Sequence, residues 1–153
     1  MKLSDYISHE LIDPDMETSD MEECLERLVG LLARGGLISD PRECLQKLLD
    51  REKMMSTGIG SGLAIPHAKS DVMKQNRVAF ARSRGGVEFH AQDGNPVNLI
   101  FLLIGPPDSA TLHVKILASI ARLTRHKSFR DRLLQADTAE EVIRLICEEE
   151  KRS

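Results

Sequence analysis

Apolar side chains return at helical spacing from about Ser19 onward, at Met21, Leu25, Leu28, Val29 and Leu32. This predicts an amphipathic helix that Gly35-Gly36 stops. A second helix opens at Asp40-Pro41-Arg42-Glu43. Asp40 suits the cap, Pro41 the first helical position, and Glu43 stands where a capping box places its carboxylate. Leu45, Leu48 and Leu49 supply its apolar face. Further on the period shortens to two. Val78 and Phe80 alternate in a strand over 78–84, Gly85-Gly86 reads as a turn, and 87–90 reads as another short strand. Asp93-Gly94-Asn95-Pro96 is a turn. The run 97–104, Val-Asn-Leu-Ile-Phe-Leu-Leu-Ile, is nearly all apolar and predicts a strand buried on both faces, ended by Gly105-Pro106-Pro107.

Three helices follow. Asp108 or Ser109 caps one that runs to about Thr124, with Leu112, Ile116, Leu117, Ile120 and Leu123 apolar. The segment 128–135 predicts a shorter helix. Thr138 and Glu141 form a capping box for the last, whose inner face is Ala139, Val142, Leu145 and Ile146. At the start of the chain, 3–7 predicts a short helical turn and 11–13 an edge strand limited by Pro14. Helices flanking a small sheet with one buried central strand make an α/β fold, a three-layer α/β/α sandwich. No repeat, low-complexity tract or linker divides it, so one domain over 1–153 is expected.

The chain of 153 residues can bury about two-thirds of its unfolded surface. Aromatic residues are scarce and tryptophan is absent, so aliphatic side chains must make the core. Twenty-one basic and 24 acidic residues give a net charge of −3. The basic residues are scattered, which argues against nucleic acid as a partner. No apolar run reaches membrane-spanning length and no signal-peptide pattern opens the chain, so a cytoplasmic protein without membrane insertion is expected. Cys24, Cys44 and Cys147 are odd in number and far apart, without a CxxC motif; reduced structural thiols suit them best.

The chemistry concentrates at 51–70. A charged helical run ends near Met54, and Gly58, Gly60 and Gly62 then alternate with Ile59 and Ser61. Leu63-Ala64-Ile65 is a short apolar strand stub, and Pro66 stiffens the backbone that presents His67. A P-loop needs Gly-Lys-Ser/Thr heading a helix, and Ala68-Lys69-Ser70 lacks the glycine and the spacing. A Rossmann fingerprint needs a strand before its glycines and a helix after them; here the order is helix, glycines, strand.

The stretch Met-Ser-Thr-Gly-Ile-Gly-Ser-Gly-Leu-Ala-Ile-Pro-His-Ala-Lys, 55–69, resembles the active-site signature of the IIA components of the phosphoenolpyruvate-dependent sugar phosphotransferase system. The likeness is to the fructose/mannitol class, which includes nitrogen-regulatory IIA-like proteins. Ser61 stands where mannitol-type domains often carry an acidic residue, so the fructose and nitrogen-regulatory branch is the nearer one. Ala68 replaces a glycine of many relatives and Lys69 is kept. The resemblance implies a mixed sheet between helical layers. It also implies that His67 accepts a phosphoryl group from the phosphocarrier HPr, with no nucleotide, cofactor or metal. His113-Val114 matches a family histidine that faces the active one, so His113 would donate to the phosphoryl group or orient His67. Arg51 matches a family arginine near the site, and its planar fork suits phosphate or an acidic partner. Ser56, Thr57, Gly58, Gly60 and Lys69 are the remaining candidates for stabilising phosphate or meeting a partner, through hydroxyls and loop amides. An apolar rim using Leu63, Ile65 and the glycine loop would bind HPr.

Without the motif, His67 reads as a capping or packing residue, His113 as a side chain packed on Leu117, and Arg51 as a solvated charge. His9, His90 and His126 lie in polar or turn surroundings and are expected at the surface. Two functions share His67. In one, it is a phosphohistidine carrier that serves a IIB domain. In the other, it is a regulatory module of nitrogen-regulatory type, whose binding to a target protein depends on phosphorylation. A metal-dependent hydrolase has neither HExxH nor comparable ligand spacing behind it.

Overall fold

The computed structural model describes residues 1–152, so the expected span of 1–153 ends at Ser153, outside the described residues. Single 3-10 turns at Leu3–Asp5 and His9–Leu11 lead into β1 (Ile12–Asp13). Helices α1 (Met21–Arg34) and α2 (Pro41–Met54) follow, then the short strands β2 (Gly58–Gly60), β3 (Leu63–Ala64) and β4 (His67–Lys69). Two long strands, β5 (Arg77–Val87) and β6 (Val97–Gly105), precede a 3-10 turn at Pro107–Ser109. The chain finishes with α3 (Ala110–Thr124), α4 (Lys127–Leu134) and α5 (Ala139–Arg152). No helix among the described residues is long and apolar enough to cross a membrane.

The six strands form one mixed sheet in the order β1-β5-β6-β3-β2, with β4 also paired to β6. The middle pair is antiparallel, with Phe80 opposite Phe101 and Val78 opposite Leu103. Both β3 and β4 run parallel to β6, one after the other along the same side: Leu63 pairs with Leu99, and His67 with Leu103. Between them Pro66 has no N–H to give, yet its carbonyl still accepts from Leu103 N at 2.9 Å. The site histidine is thereby locked in register with the most buried strand of the molecule.

Alternation along β6 splits the core into two layers, because successive side chains leave opposite faces of a strand. Ile100, Leu102 and Ile104 pack under α1 and α2 with Leu25, Leu28, Leu32 and Leu48. Leu99, Phe101 and Leu103 pack under α3, α4 and α5 with Ile116, Ile120, Phe129, Val142 and Ile146. The Phe80 and Phe101 rings meet at 4.8 Å between centroids, tilted by 57°. This is the three-layer arrangement that the helix and strand periods predict.

Local chemistry explains most element ends. Asp20 and Asp40 accept from the backbone N–H groups of Glu23 and Glu43, and Thr138 accepts from that of Glu141, each three residues into its helix. The Glu43 carboxylate does not close the predicted capping box; Ser70 Oγ donates to it at 3.3 Å, which ties α2 to the segment after β4. Ser109 caps α3 by position without a side-chain cap bond, its hydroxyl donating to Asp108 Oδ1.

The predicted turn at Gly85-Gly86 and the separate strand over 87–90 are not found. Instead β5 continues through both glycines to Val87, which pairs with Val97, and the register shifts between Arg82 and Val87. Gly86 makes this possible. It stands at φ +85°, and a Cβ there would lie 2.6 Å from Pro96 Cβ. Only glycine takes this backbone shape at this distance, so two glycines that read as a turn serve a bulge in a continuing strand.

Candidate active site

The carboxyl-terminal end of β6 is flanked by β4 on one side and β5 on the other, with α2 and the start of α3 beside it. There a cavity of about 550 Å³ is lined by Lys47, Asp50, Arg51 and Met54 from α2, His67, Ala68 and Lys69 from β4, and His113, Val114 and Leu117 from α3. The His67 and His113 rings lie 6.1 Å apart between centroids, tilted by 59°. Residues 46 positions apart in sequence thus share one cavity because β4 and the entry to α3 both meet the end of β6.

His67 is half-buried, and its Nδ1 lies 2.8 Å from the carbonyl oxygen of Ile65, two residues back. A carbonyl only accepts, so Nδ1 carries the proton and Nε2 is the ring nitrogen with the free lone pair. Pro66, between the two, stiffens the stem that makes this short-range bond. Burial lowers the His67 pKa below its ordinary 6.5, with Arg51 and Lys69 adding to that shift and Ile65 and Glu52 opposing it. His113 is buried, 3% exposed. Burial, then His67 and Lys69, push its pKa down to about 4. Both imidazoles are therefore neutral near pH 7, the state a nucleophilic nitrogen requires.

Of the residues predicted from sequence, the fold brings together His67, His113, Arg51 and Lys69. Arg51 also donates through Nη1 to the Met55 carbonyl at 2.8 Å, which holds the guanidinium at the end of α2. Ser56, Thr57, Gly58 and Gly60 are not among the residues lining this cavity. The Ser56 hydroxyl donates to the Phe89 carbonyl, and the Thr57 hydroxyl and amide both donate to the Glu52 carboxylate. Gly58 is packed so closely on Ala91 that a Cβ would lie 2.8 Å away. Gly60 lies beside Asp93, whose carboxylate accepts from Ser61 N at 3.1 Å. The glycine stretch is thus the β2–β3 edge of the sheet, bonded to 89–93, rather than a loop closing over His67.

The apolar rim also differs from expectation. Leu63 and Ile65 are buried in the core beneath α3, because β3 pairs with β6 and the sheet face there is covered. The exposed apolar side chains at the cavity mouth are Met54, 81% exposed, and Val114, 61% exposed, with Met55 close by in sequence at 65%. Sequence reading missed Lys47, Asp50 and Met54, although they recur at helical spacing with Arg51 and so mark one face of α2. His9, His90 and His126 are exposed as expected, and Cys24, Cys44 and Cys147 are free thiols, the first two buried. No three His, Cys, Asp or Glu side chains among the described residues gather as a metal-binding group.

Comparison with known proteins gives the family to which this cavity and its paired histidines belong. The chain belongs to the family described as "Phosphoenolpyruvate-dependent sugar phosphotransferase system, EIIA 2", whose model matches residues 5–149. It is 35% identical over 139 residues to the fructose-specific EIIA component of Haloferax volcanii, covering 91% of this chain and 90% of that one. It is 30% identical over 151 residues, 99% of its length, to the fructose-specific EIIABC component of Bacillus subtilis, of which it spans 24%. Among solved structures, the nitrogen regulatory protein IIA-Ntr from Neisseria meningitidis superposes with a TM-score of 0.88 at 35% identity, covering 94% of this chain and 98% of that one. Proteins of this family are phosphotransferase components, and the relatives include sugar-specific and nitrogen-regulatory members.

Proposed function

We propose that this protein is a cytoplasmic phosphohistidine carrier in which His67 Nε2 takes a phosphoryl group from phosphorylated HPr. The observation that carries this reading is the Ile65 carbonyl on His67 Nδ1, which leaves Nε2 as the one basic nitrogen of that ring. The Nε2 lone pair attacks phosphorus as the nitrogen–phosphorus bond of the donor breaks and its electron pair returns to the donor ring. Nδ1 keeps its proton throughout and donates it in a hydrogen bond to the Ile65 carbonyl. Phosphoryl transfer depends mainly on positioning and on offsetting the charge spread over the transferred oxygens. Lys69 and Arg51, with Lys47 further along α2, supply cations on the walls of the cavity. His113 supplies a ring nitrogen beside the transferred group. Met54 and Val114 give the mouth an apolar surface for HPr, and the same mouth then meets the acceptor, a IIB domain or a regulatory target. No nucleotide, metal or other cofactor enters these steps.

The experiment is intact-mass analysis after incubation with phosphoenolpyruvate, enzyme I and HPr, on wild type and His67→Ala. The expected result is an acid-labile gain of one phosphoryl group on wild type and none on the variant. No gain on wild type while HPr itself is phosphorylated overturns the carrier reading.

A further inference from the structure

Asn76 stands immediately before β5, where the antiparallel ladder pairs Arg77 with Ile104. One step further along, it faces Gly105 at the end of β6. It is 2% exposed, so its carboxamide is buried. Asn76 Oδ1 lies 3.1 Å from His113 Nδ1. An amide oxygen only accepts, so this contact needs the proton of His113 on Nδ1 and leaves Nε2 without one in the neutral ring. Asn76 Nδ2 is a buried donor with no hydrogen-bond partner among the described residues. A buried orphan donor is destabilising, so the residue is not there for stability alone. Gly105 completes the seat: a Cβ at that position would stand 1.9 Å from Asn76 Oδ1 and 2.5 Å from its Cγ. Any other residue at 105 would force the carboxamide away from the histidine.

Hydrogen bonding to carbonyl-type oxygens therefore occurs at Nδ1 of both site histidines, Ile65 for His67 and Asn76 for His113. In both rings Nε2 is the nitrogen free for chemistry. We propose that Asn76 is a positioning residue for phosphoryl transfer: its carboxamide, seated against Gly105, holds His113 by Nδ1 and aims Nε2 at the phosphoryl group on His67. The negative charge of that group draws a proton from solvent onto Nε2 and so lets it donate to a phosphoryl oxygen. This inference rests on the carrier reading above. Asn76 does not line the cavity and does not touch the phosphoryl group; it acts through His113.

Two measurements on the same proteins test it. Long-range proton–nitrogen spectra of the imidazoles report the tautomer of His113 in the unphosphorylated protein. Single-turnover uptake from phosphorylated HPr, across a range of HPr concentrations, separates the maximal rate from the half-saturating concentration. Wild type is expected to hold His113 with its proton on Nδ1. Asn76→Ala is expected to mix the tautomers and lower the maximal rate about tenfold or more, with half-saturation nearly unchanged. Gly105→Ala provides a second route and is expected to do the same by displacing the amide. Asn76→Asp keeps an acceptor at Nδ1 and is expected to retain the tautomer. A proton on Nε2 of His113 in wild type overturns the inference, as does wild-type maximal rate in both Asn76→Ala and Gly105→Ala. If wild type takes up no phosphoryl group at all, the carrier reading falls and this inference falls with it. Wild-type uptake with no effect of the variants overturns the inference alone.

Discussion

His67 and His113 are two imidazoles kept neutral for one main reason, removal from water, which disfavours the charged form of each. The sign sets a pH profile. A pKa below 6.5 means that His67 keeps most of its lone pair as pH falls from 8 to 6.5, so uptake from phosphorylated HPr is expected to lose clearly less than half its rate over that range. A rate that has already halved at or above pH 6.5 would mean a nucleophile with an unshifted or raised pKa. The same shift at His113, down to about 4, makes the unfolded chain bind more protons than the folded one between about 4 and 6.5. That contribution to stability is complete above 6.5 and shrinks as pH falls towards 4. It is expected to disappear from the pH dependence of urea unfolding in His113→Gln. Arg51 lines the cavity with His67, and a guanidinium fork suits phosphoryl oxygens, so under the proposed function Arg51→Ala is expected to slow uptake by about 100-fold. At this scale His67 was legible because a proline and three glycines punctuate its approach. Asn76 was not: a buried amide between Gln75 and Arg77 has no period or motif to announce it, and its partner lies 37 positions away.

Among elements, the helices were the most legible, since apolar spacing and caps act locally. Asp40 and Thr138 cap as their sequence positions imply, and Asp20 caps α1 in the same way. The strands were harder where a tertiary neighbour decides the shape. Gly85-Gly86 reads as a turn in isolation, but Pro96 and the Val87–Val97 pairing hold it within β5. The Gly58–Gly60 stretch likewise became a strand because Ala64 and Leu63 pair with it. One residue of β5 spans the elements that close one end of the sheet. Arg82 is 2% exposed and donates from Nε to the Pro14 carbonyl at 2.7 Å and from Nη1 to the Leu134 carbonyl at 2.8 Å. It also meets Asp137, which Arg84 shares. Replacing it strands those acceptors, so Arg82→Met is expected to lose about 2 kcal/mol or more in urea unfolding. A midpoint equal to that of wild type would show the cluster to be incidental.

Across the whole molecule, one strand organises both layers. Phe101 lies in the layer under α3 to α5 and packs at a tilt against Phe80, and Phe101→Ala is expected to cost about 3–5 kcal/mol and lower Tm by about 10 °C. The two-layer core was legible from the unbroken apolar run of β6, because such a run has no face to turn to water. Which surface meets a partner was not legible, since exposure depends on how β3 is covered. Placing the mouth at Met54 and Val114 gives a direct check. Met54→Glu with Val114→Glu is expected to raise the half-saturating HPr concentration roughly tenfold while leaving the maximal rate nearly intact; unchanged saturation would remove this face from docking.

The outer strands are short. β1 has two residues, and β2 and β4, on the other side, have three each. An unpaired ladder that brief gives a foreign chain little template to extend, and edges of this kind guard against fibril growth. For a carrier of the proposed kind, which would meet its partners briefly and often, that is a colloidal safeguard. Concentrated solutions are expected to scatter light as dispersed particles and to leave amyloid dyes dark, even after prolonged incubation.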